Sequence, residues 1–494
     1  MGVIQRQSLK HAVVNFVGLV VGSLSMLLVY PHALEAYGLV QFLLWVAVIG
    51  LPVYSLGANI LAVRFFPKFA DSATGHHGFL RLLLGLCVLG CLGSLVVAAL
   101  GWGFIADLLR HKELTEGKSP LLRQYLWLAV PLSFCYVFSS VLSIYAVNFK
   151  RIVVPSLLFD FSPKIIYPAL LFAYWQGWMP LPAVLGGLLL HGLAVLVGLV
   201  FYLRRLGQWQ LRPDPDFLRP ALRREMWQFA GFGTLTGLAL LLASRVDVLM
   251  IGTLSSLTAA GVYSIAVNLA AVIEIPTRSL YSASISSVAR YVADDNRPEL
   301  EDLYKRVSIN LLVVGLLLFG ALWISIDSLY AVLPNGGKVA AGKQALLFLG
   351  LAKLADMCTG VNNYMIYYSR YYRYSLVSLT VLAAVNISLG FWLIPKIGLT
   401  GAALATFFSV VCYNLFSVGL VWRMFRLQPF SIRTVKAVGL ALLVFASIWW
   451  LPPTGNGFLD IMLRSGSYVL LFGALALWLR LSPDLNAMIE KWRR

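Results

Sequence analysis

The sequence predicts an all-α, polytopic membrane protein with about 14 transmembrane helices. They are expected as two pseudo-symmetric six-helix lobes followed by two C-terminal helices. Three observations lead there. The chain is 60% hydrophobic and only 12% charged over 494 residues, too little charge to cover a soluble protein of that length. Apolar runs of about 20 residues recur, and they are continuous rather than alternating, which argues against a β-barrel. One long polar stretch, Arg204–Arg224 (RRLGQWQLRPDPDFLRPALRR), divides the chain into two parts that follow one plan.

The formal net charge is +18. In a soluble protein that balance would point to nucleic acid. On an apolar chain, basic residues hold loops on the cytoplasmic side and face anionic lipid, so membrane lipids are the expected partner and nucleic acid is not. The cysteines Cys87, Cys91, Cys135, Cys358 and Cys412 all lie inside apolar runs and show neither a disulfide framework nor a metal spacing. No P-loop is present, and no cofactor or metal is expected.

The first apolar run, roughly 12–31, is near spanning length, and no small-residue cleavage site follows it. It is read as the first helix. Five more spans precede the polar stretch, at roughly 38–65, 79–106, 121–147, 152–175 and 181–203. Six follow it, at roughly 226–252, 259–289, 306–329, 341–368, 374–395 and 399–422, and two more at about 434–451 and 459–480. The longer ones must tilt, bend or emerge from the membrane. With the N-terminus inside, cytoplasmic segments collect about 27 of the 39 lysines and arginines and periplasmic segments about 7, which places both termini in the cytoplasm. The C-terminal SPDLNAMIEKWRR, with Pro483 at a helix-start position, is expected to lie along the inner surface. The longest outward loop, Asp107–Pro120, is too short to fold into a periplasmic domain.

The halves repeat at an offset of roughly 222 residues. AYGLVQF near Gly38 corresponds to AAGVYSIA near Gly261, YAVNFKR ending at Arg151 to IYYSRYYR ending at Arg373, and LPAVLGGLLL at Leu181 to LTGAALATFF at Leu399. Six spans per unit is an even number, so both copies enter the membrane in the same direction, and a path between two lobes is the usual consequence. The expected division is an N-lobe over 1–205, a cytoplasmic linker over 206–224, a C-lobe over 225–426, and the last two helices with an interfacial tail over 427–494.

Three segments carry a family resemblance. RVDVLMIGTLSSLTAAGVYSIAVNLAAVIE (Arg245–Glu274), IGLTGAALATFFSVV (Ile397–Val411) and RQSLKHAVVNFVGLVVG (Arg6–Gly22) resemble bacterial polysaccharide flippases of the O-antigen type. These belong to the multidrug/oligosaccharidyl-lipid/polysaccharide exporter superfamily. The resemblance implies two six-helix lobes forming a V in the bacterial inner membrane, and alternating access for an undecaprenyl-pyrophosphate-linked oligosaccharide. It implies no covalent chemistry, and it brings polysaccharide assembly proteins into view as partners. It names neither the glycan nor a coupling ion.

An ionisable side chain in the bilayer core costs roughly 2.5–3.5 kcal/mol on insertion scales, so each one needs a reason. Three helices carry opposite charges about one turn apart: Asp160 with Lys164, Glu274 with Arg278, and Lys353 with Asp356. One reading is internal neutralisation along each helix. The other is that these faces line a hydrated cavity, with Arg278 gripping a lipid pyrophosphate bidentately. Pro276, between Glu274 and Arg278, cannot donate a backbone hydrogen bond, and a bend is expected there and at the equivalent Pro52. Lys164 and Lys353 are the next candidates, one from each lobe. Arg64 is either a contact on the inner approach or a snorkelling anchor. Arg245 and Asp247 read as an outer helix-end pair, His191 as a packed histidine, and the tyrosines Tyr364–Tyr374 as an interfacial belt.

Rival functions remain open. A cation-coupled multidrug exporter would use Asp160, Glu274 and Asp356 in place of the cations. A lipid II flippase would share the cationic cavity. A membrane glycosyltransferase or polymerase is opposed by the short outward loops and by the absence of a paired-carboxylate or metal-ligand motif.

Overall fold

The computed structural model describes residues 3–71, 75–100, 120–149, 151–212, 214, 217–452, 454–484 and 486, with side chains for all of these except 3–13, 15, 97, 98, 100, 278, 279, 282 and 283. The outward loop expected over 107–119 and the end of the C-terminal tail lie outside the described residues. Among the described residues the chain is helix and turn without strand. Continuous apolar sequence in lipid leaves helix as the way to satisfy the backbone within one segment. The chain forms two compact units, Met1–Gly261 and Val262–Arg494.

Unit 1 begins with α1 (Val3–Leu28) and α2 (Leu34–Ile49), then three short pieces, α3 (Leu51–Tyr54), α4 (Ala58–Arg64) and α5 (Phe66–Phe69). The expected second span, 38–65, is therefore broken. Gly50 ends α2, Pro52 sits in the first turn of α3, and Leu56 and Gly57 take positive φ values of 44° and 77°. A Cβ on Gly57 would press on the Ala230 backbone, so both its φ and its packing require glycine. Next come α6 (Phe79–Leu100), α7 (Pro120–Tyr125), α8 (Ala129–Val147), α9 (Val153–Ser156), a π turn over Leu157–Phe161, α10 (Pro163–Trp175), α11 (Leu181–Arg205) and α12 (Pro220–Leu254). The core gathers Leu61, Phe65, Phe69, Phe79, Tyr145, Leu199 and Ala230 from six of these elements and the segments joining them. The seventh expected span, α12, packs on α2, α3 and α4.

Unit 2 holds most of α13 (Leu257–Ala293), then α14 (Arg297–Ile324), α15 (Ile326–Val332), α16 (Gly336–Ala340), α17 (Lys343–Thr359), α18 (Asn362–Tyr368), α19 (Arg373–Phe425), α20 (Ile432–Trp449) and α21 (Gly457–Trp478). Its core centres on α14, whose Tyr304, Leu311 and Leu312 are buried together with Met357, Ala437 and Phe472. Helix α17 packs on α19, and α20 and α21 pack on α14.

Eleven helices among the described residues are long and apolar enough to cross a membrane, or twelve if α17 and α18, bent by 53° at Gly360, form one span. Two features separate this from the expected fourteen. The described apolar part of α1, Phe16–Leu28, is shorter than a span. The two spans expected at 374–395 and 399–422 are the single element α19, interrupted at Ile397 and Gly398 (φ 57°, ψ −129°). Fifty-three helical residues in a straight line would run about 80 Å, far beyond a hydrocarbon core of about 30 Å. Gly398 supplies the break in a backbone region that side chains exclude. By contrast, α13 runs through Pro276 without interruption.

Unit 1 contains a close backbone approach between α2 and the start of α13. Gly38 of α2 lies against the Leu257 carbonyl, and Gly261 lies against the Leu34 carbonyl. The two glycine motifs exchange roles at a single sequence offset, as in an isologous contact. Ser256 caps the incoming helix by accepting the Ala259 N–H at 3.0 Å. A Gly38→Ala substitution is expected to destabilise the purified protein by roughly 1–3 kcal/mol, because a Cβ there overlaps backbone that has no side-chain freedom. Gly186→Ala, which points into open space, is expected to leave the thermal unfolding midpoint unchanged or slightly raised. Equal midpoints for the two variants would refute the close-approach account.

Candidate functional site

In unit 1 the candidate residues sit on a distorted helix. Pro163 has no N–H to give, and the Ser162 N–H reaches five residues back to the Leu157 carbonyl at 3.0 Å. This π turn changes the angular relation between Asp160 and Lys164, and the expected pair along one helix face does not close. Asp160 accepts the Ser156 hydroxyl at 3.0 Å instead. Among the described residues, Lys164 has no carboxylate within ion-pair distance. A Cβ on Gly18 of α1 would stand 3.2 Å from the Lys164 ammonium, so glycine at that position leaves the cation its room. π turns of this kind frequently mark functional sites.

His191 hydrogen-bonds Ser162 Oγ at 2.7 Å and meets the Tyr167 ring edge-on, centroids 5.2 Å apart. It is a packed histidine. Arg64, exposed at the end of α4, lays its guanidinium 4.4 Å from the Phe229 ring centroid. Arg245 does the same over Trp45 at 4.5 Å, and the Asp247 carboxylate accepts the neighbouring Val248 N–H at 2.8 Å. Residues two apart on a helix face different ways, and Arg245 secures α12 to α2 through the indole.

In unit 2 the expected Lys353–Asp356 pair is also replaced. Lys353 on α17 forms an ion pair with Glu274 on α13. Asp356 accepts the Asn414 amide of α19 at 3.2 Å, and Asn414 in turn accepts the Thr359 hydroxyl at 2.7 Å. The Asn414 amide also reaches the Val410 carbonyl at 3.0 Å. The long lysine side chain reaches a neighbouring helix, and the shorter aspartate is served by a buried amide. Tyr281 donates to the Gly360 carbonyl at 3.0 Å, where the backbone of the α17–α18 bend has φ 60°. The Arg278 side chain lies outside the described residues; its backbone continues α13 one turn beyond Glu274.

The structure thus brings Glu274, Lys353, Asp356, Asn414 and Thr359 into one polar cluster across α13, α17 and α19. Asn414 and Thr359 were missed from sequence, although an asparagine inside the apolar run SVVCYNLFSVGL is itself a signal. No group of three His, Cys, Asp or Glu among the described residues is placed to hold a metal ion. What the cluster offers is a cation held beside carboxylates and amides, suited to electrostatic binding. Asn414→Leu is expected to cost roughly 1–3 kcal/mol, measured by thermal or denaturant unfolding, since Thr359 and Asp356 each lose a buried partner. A double variant Asn414→Leu/Thr359→Val should lose less than the sum of the two singles. Strict additivity would count against a shared network.

Comparison with known proteins places this architecture. The polysaccharide biosynthesis protein family matches residues 33–285, just over half of the chain. No curated protein sequence matches it. Among solved structures, the lipid II flippase MurJ in an inward closed conformation is similar with a TM-score of 0.68 at 13% identity, over 94% of this chain and 98% of that one. An inward-facing multidrug resistance MATE family transporter of the MOP superfamily is similar with a TM-score of 0.58 at 14% identity, over 85% of this chain and 95% of that one. At those identities the likeness speaks to the fold. An all-α polytopic membrane chain with this fold and this family match belongs to the polysaccharide biosynthesis protein family.

Proposed function

We propose that the protein is a flippase that carries an undecaprenyl-pyrophosphate-linked oligosaccharide from the cytoplasmic to the periplasmic leaflet of a bacterial inner membrane. The observation that carries this reading is membership of a polysaccharide biosynthesis family on a fold shared with membrane transporters. A chain that serves glycan assembly and is built of membrane helices is suited to moving the glycan across the membrane. The work is binding and release, without covalent chemistry. Both termini and the 206–224 linker are cytoplasmic in this reading, as the lysine and arginine distribution requires.

The substrate's concentrated charge is its pyrophosphate. Lys164 in the first lobe and Arg278 and Lys353 in the second are the cations proposed to receive it, with Arg64 on the inner approach. Lys164, which has no carboxylate partner among the described residues, is the most available of these. Lys353 is held by Glu274, and an arriving phosphate would have to share its ammonium with that carboxylate. Asp160 and Asp356 shape the same surfaces through Ser156 and Asn414. The lobes, 1–205 and 225–426, would open alternately and spare the sugar head the hydrocarbon core.

The test is translocation of a fluorescent lipid-pyrophosphate-linked glycan in proteoliposomes. Wild type is expected to move it. Lys164→Ala and Arg278→Ala, each checked for monodispersity, are expected to slow it about tenfold, the loss of one charge-assisted grip. Export of organic cations down an imposed ion gradient, with no movement of glycan, would replace this reading by a multidrug exporter working through Asp160, Glu274 and Asp356.

A further inference from the structure

Unit 1 carries a second candidate binding site, away from the charged spans, at the end that bears the linker. A cavity of about 330 Å³ is lined by Asn148, Phe149 and Arg151, from the turn after α8, and by Leu206 and Gln208, from the segment after α11. Its volume falls at the lower end of the range for small-molecule sites, about 300–1,000 Å³, and it is widely open on one side. Two of its polar groups, Gln208 and Asn148, are each fixed by a partner behind them. The buried His76 meets Gln208 Oε1 through Nε2 at 2.8 Å, and its ring stands 5.4 Å from that of Phe149. With its oxygen on His76, the Gln208 side chain turns its –NH2 away from the imidazole, where it has no protein partner among the described residues. Asn148 spends its –NH2 on the Ala62 carbonyl at 2.8 Å and keeps its oxygen. Arg151 has no carboxylate within ion-pair distance among the described residues.

The linker is also tied to the turn that carries His76 and His77. His77 stacks on Phe217 with centroids 3.7 Å apart and planes 8° from parallel, and its Nδ1 lies 2.7 Å from Asp214. Four successive residues, Gly75, His76, His77 and Gly78, take positive φ between 50° and 70°, and the two imidazoles meet different residues after α11, Gln208 and Asp214. Non-glycine residues hold such backbone only where the surroundings over-determine it.

We propose that the cavity binds a hydroxylated anion, a hexose ring bearing a phosphate or a carboxylate. The Arg151 guanidinium receives the anionic group bidentately. The Gln208 –NH2 and the Asn148 oxygen supply one donor group and one acceptor, the pair a sugar hydroxyl requires. Phe149 and Leu206 give the ring's C–H face an apolar surface. Such a ligand has two sources: the head of a lipid-linked glycan, or a soluble sugar phosphate. The site stands on unit 1 alone and does not rest on the transport reading.

The experiment is calorimetric titration of the purified full chain in phosphatidylcholine nanodiscs with glucose 1-phosphate, glucuronate, glucose and inorganic phosphate. The two sugar anions are expected to bind saturably, and glucose and inorganic phosphate at least about tenfold more weakly. Arg151→Gln and Gln208→Glu are each expected to weaken sugar-anion binding about tenfold. Arg151 lies just beyond the C-terminal end of α8, where a cation also stabilises the helix dipole. A purely structural arginine would lower the unfolding midpoint and leave the affinity unchanged. No saturable binding, equal binding of inorganic phosphate and glucose 1-phosphate, or affinities untouched by both variants would each overturn the proposal. Repeating the titration with a polyprenyl-phosphate hexose in the nanodisc assigns the source. Competition points to the lipid-linked head, and undiminished affinity to the soluble sugar phosphate.

Discussion

Hydrocarbon forms no hydrogen bonds, and this chain departs from regular helix where protein atoms take over that duty. At the break before α4 the Leu56 N–H bonds the Val53 carbonyl at 3.1 Å and the Ala58 N–H the Ser55 carbonyl at 2.9 Å. The π turn before Pro163 satisfies its backbone by reaching one residue further back. At the α17–α18 bend the Gly360 carbonyl receives a tyrosine hydroxyl. The same constraint governs charge. Lys353 is answered by Glu274 and Asp356 by Asn414, each from a neighbouring helix, so the ionisable groups tie helices together as they are neutralised.

This gives the polar clusters of the two units different characters. In unit 2, charge, amide and hydroxyl form a connected network, in which each member orients the next. In unit 1 the Lys164 ammonium stands over a glycine, and its former companion Asp160 is engaged by a serine one turn back. A network of the first kind favours a fixed geometry. An arrangement of the second kind keeps a cation available to whatever anion arrives.

The helices were legible because hydropathy over about 20 residues is a local property, and the fold class followed from it. Pro52, with glycines on either side, also marked a real break. What sequence could not convey is which helix stands beside which. Spacing placed Lys353 with Asp356 and Asp160 with Lys164, since residues three or four apart share a face of an ideal helix. A π turn undid the second pair, and a neighbour's carboxylate took the lysine of the first. Asn414 went unnoticed for the same reason: its partners, Thr359 and Asp356, are far away in the chain and close only after packing. The two spans expected within 374–422 meet at Ile397 and Gly398, where the backbone leaves the helical region for two residues between the two helical stretches.

The glycine contact between Gly38 and the start of α13 has a bearing on inheritance. Each glycine lies against backbone contributed by the other's segment, so the two distant positions behave energetically as one. A side chain gained at either would part the same two helices, and a second gained at the other would meet a contact already opened. The effects of changes at these sites are therefore not independent. A lineage that has lost one glycine is under little pressure to keep its counterpart, and the pair is expected to persist or disappear together.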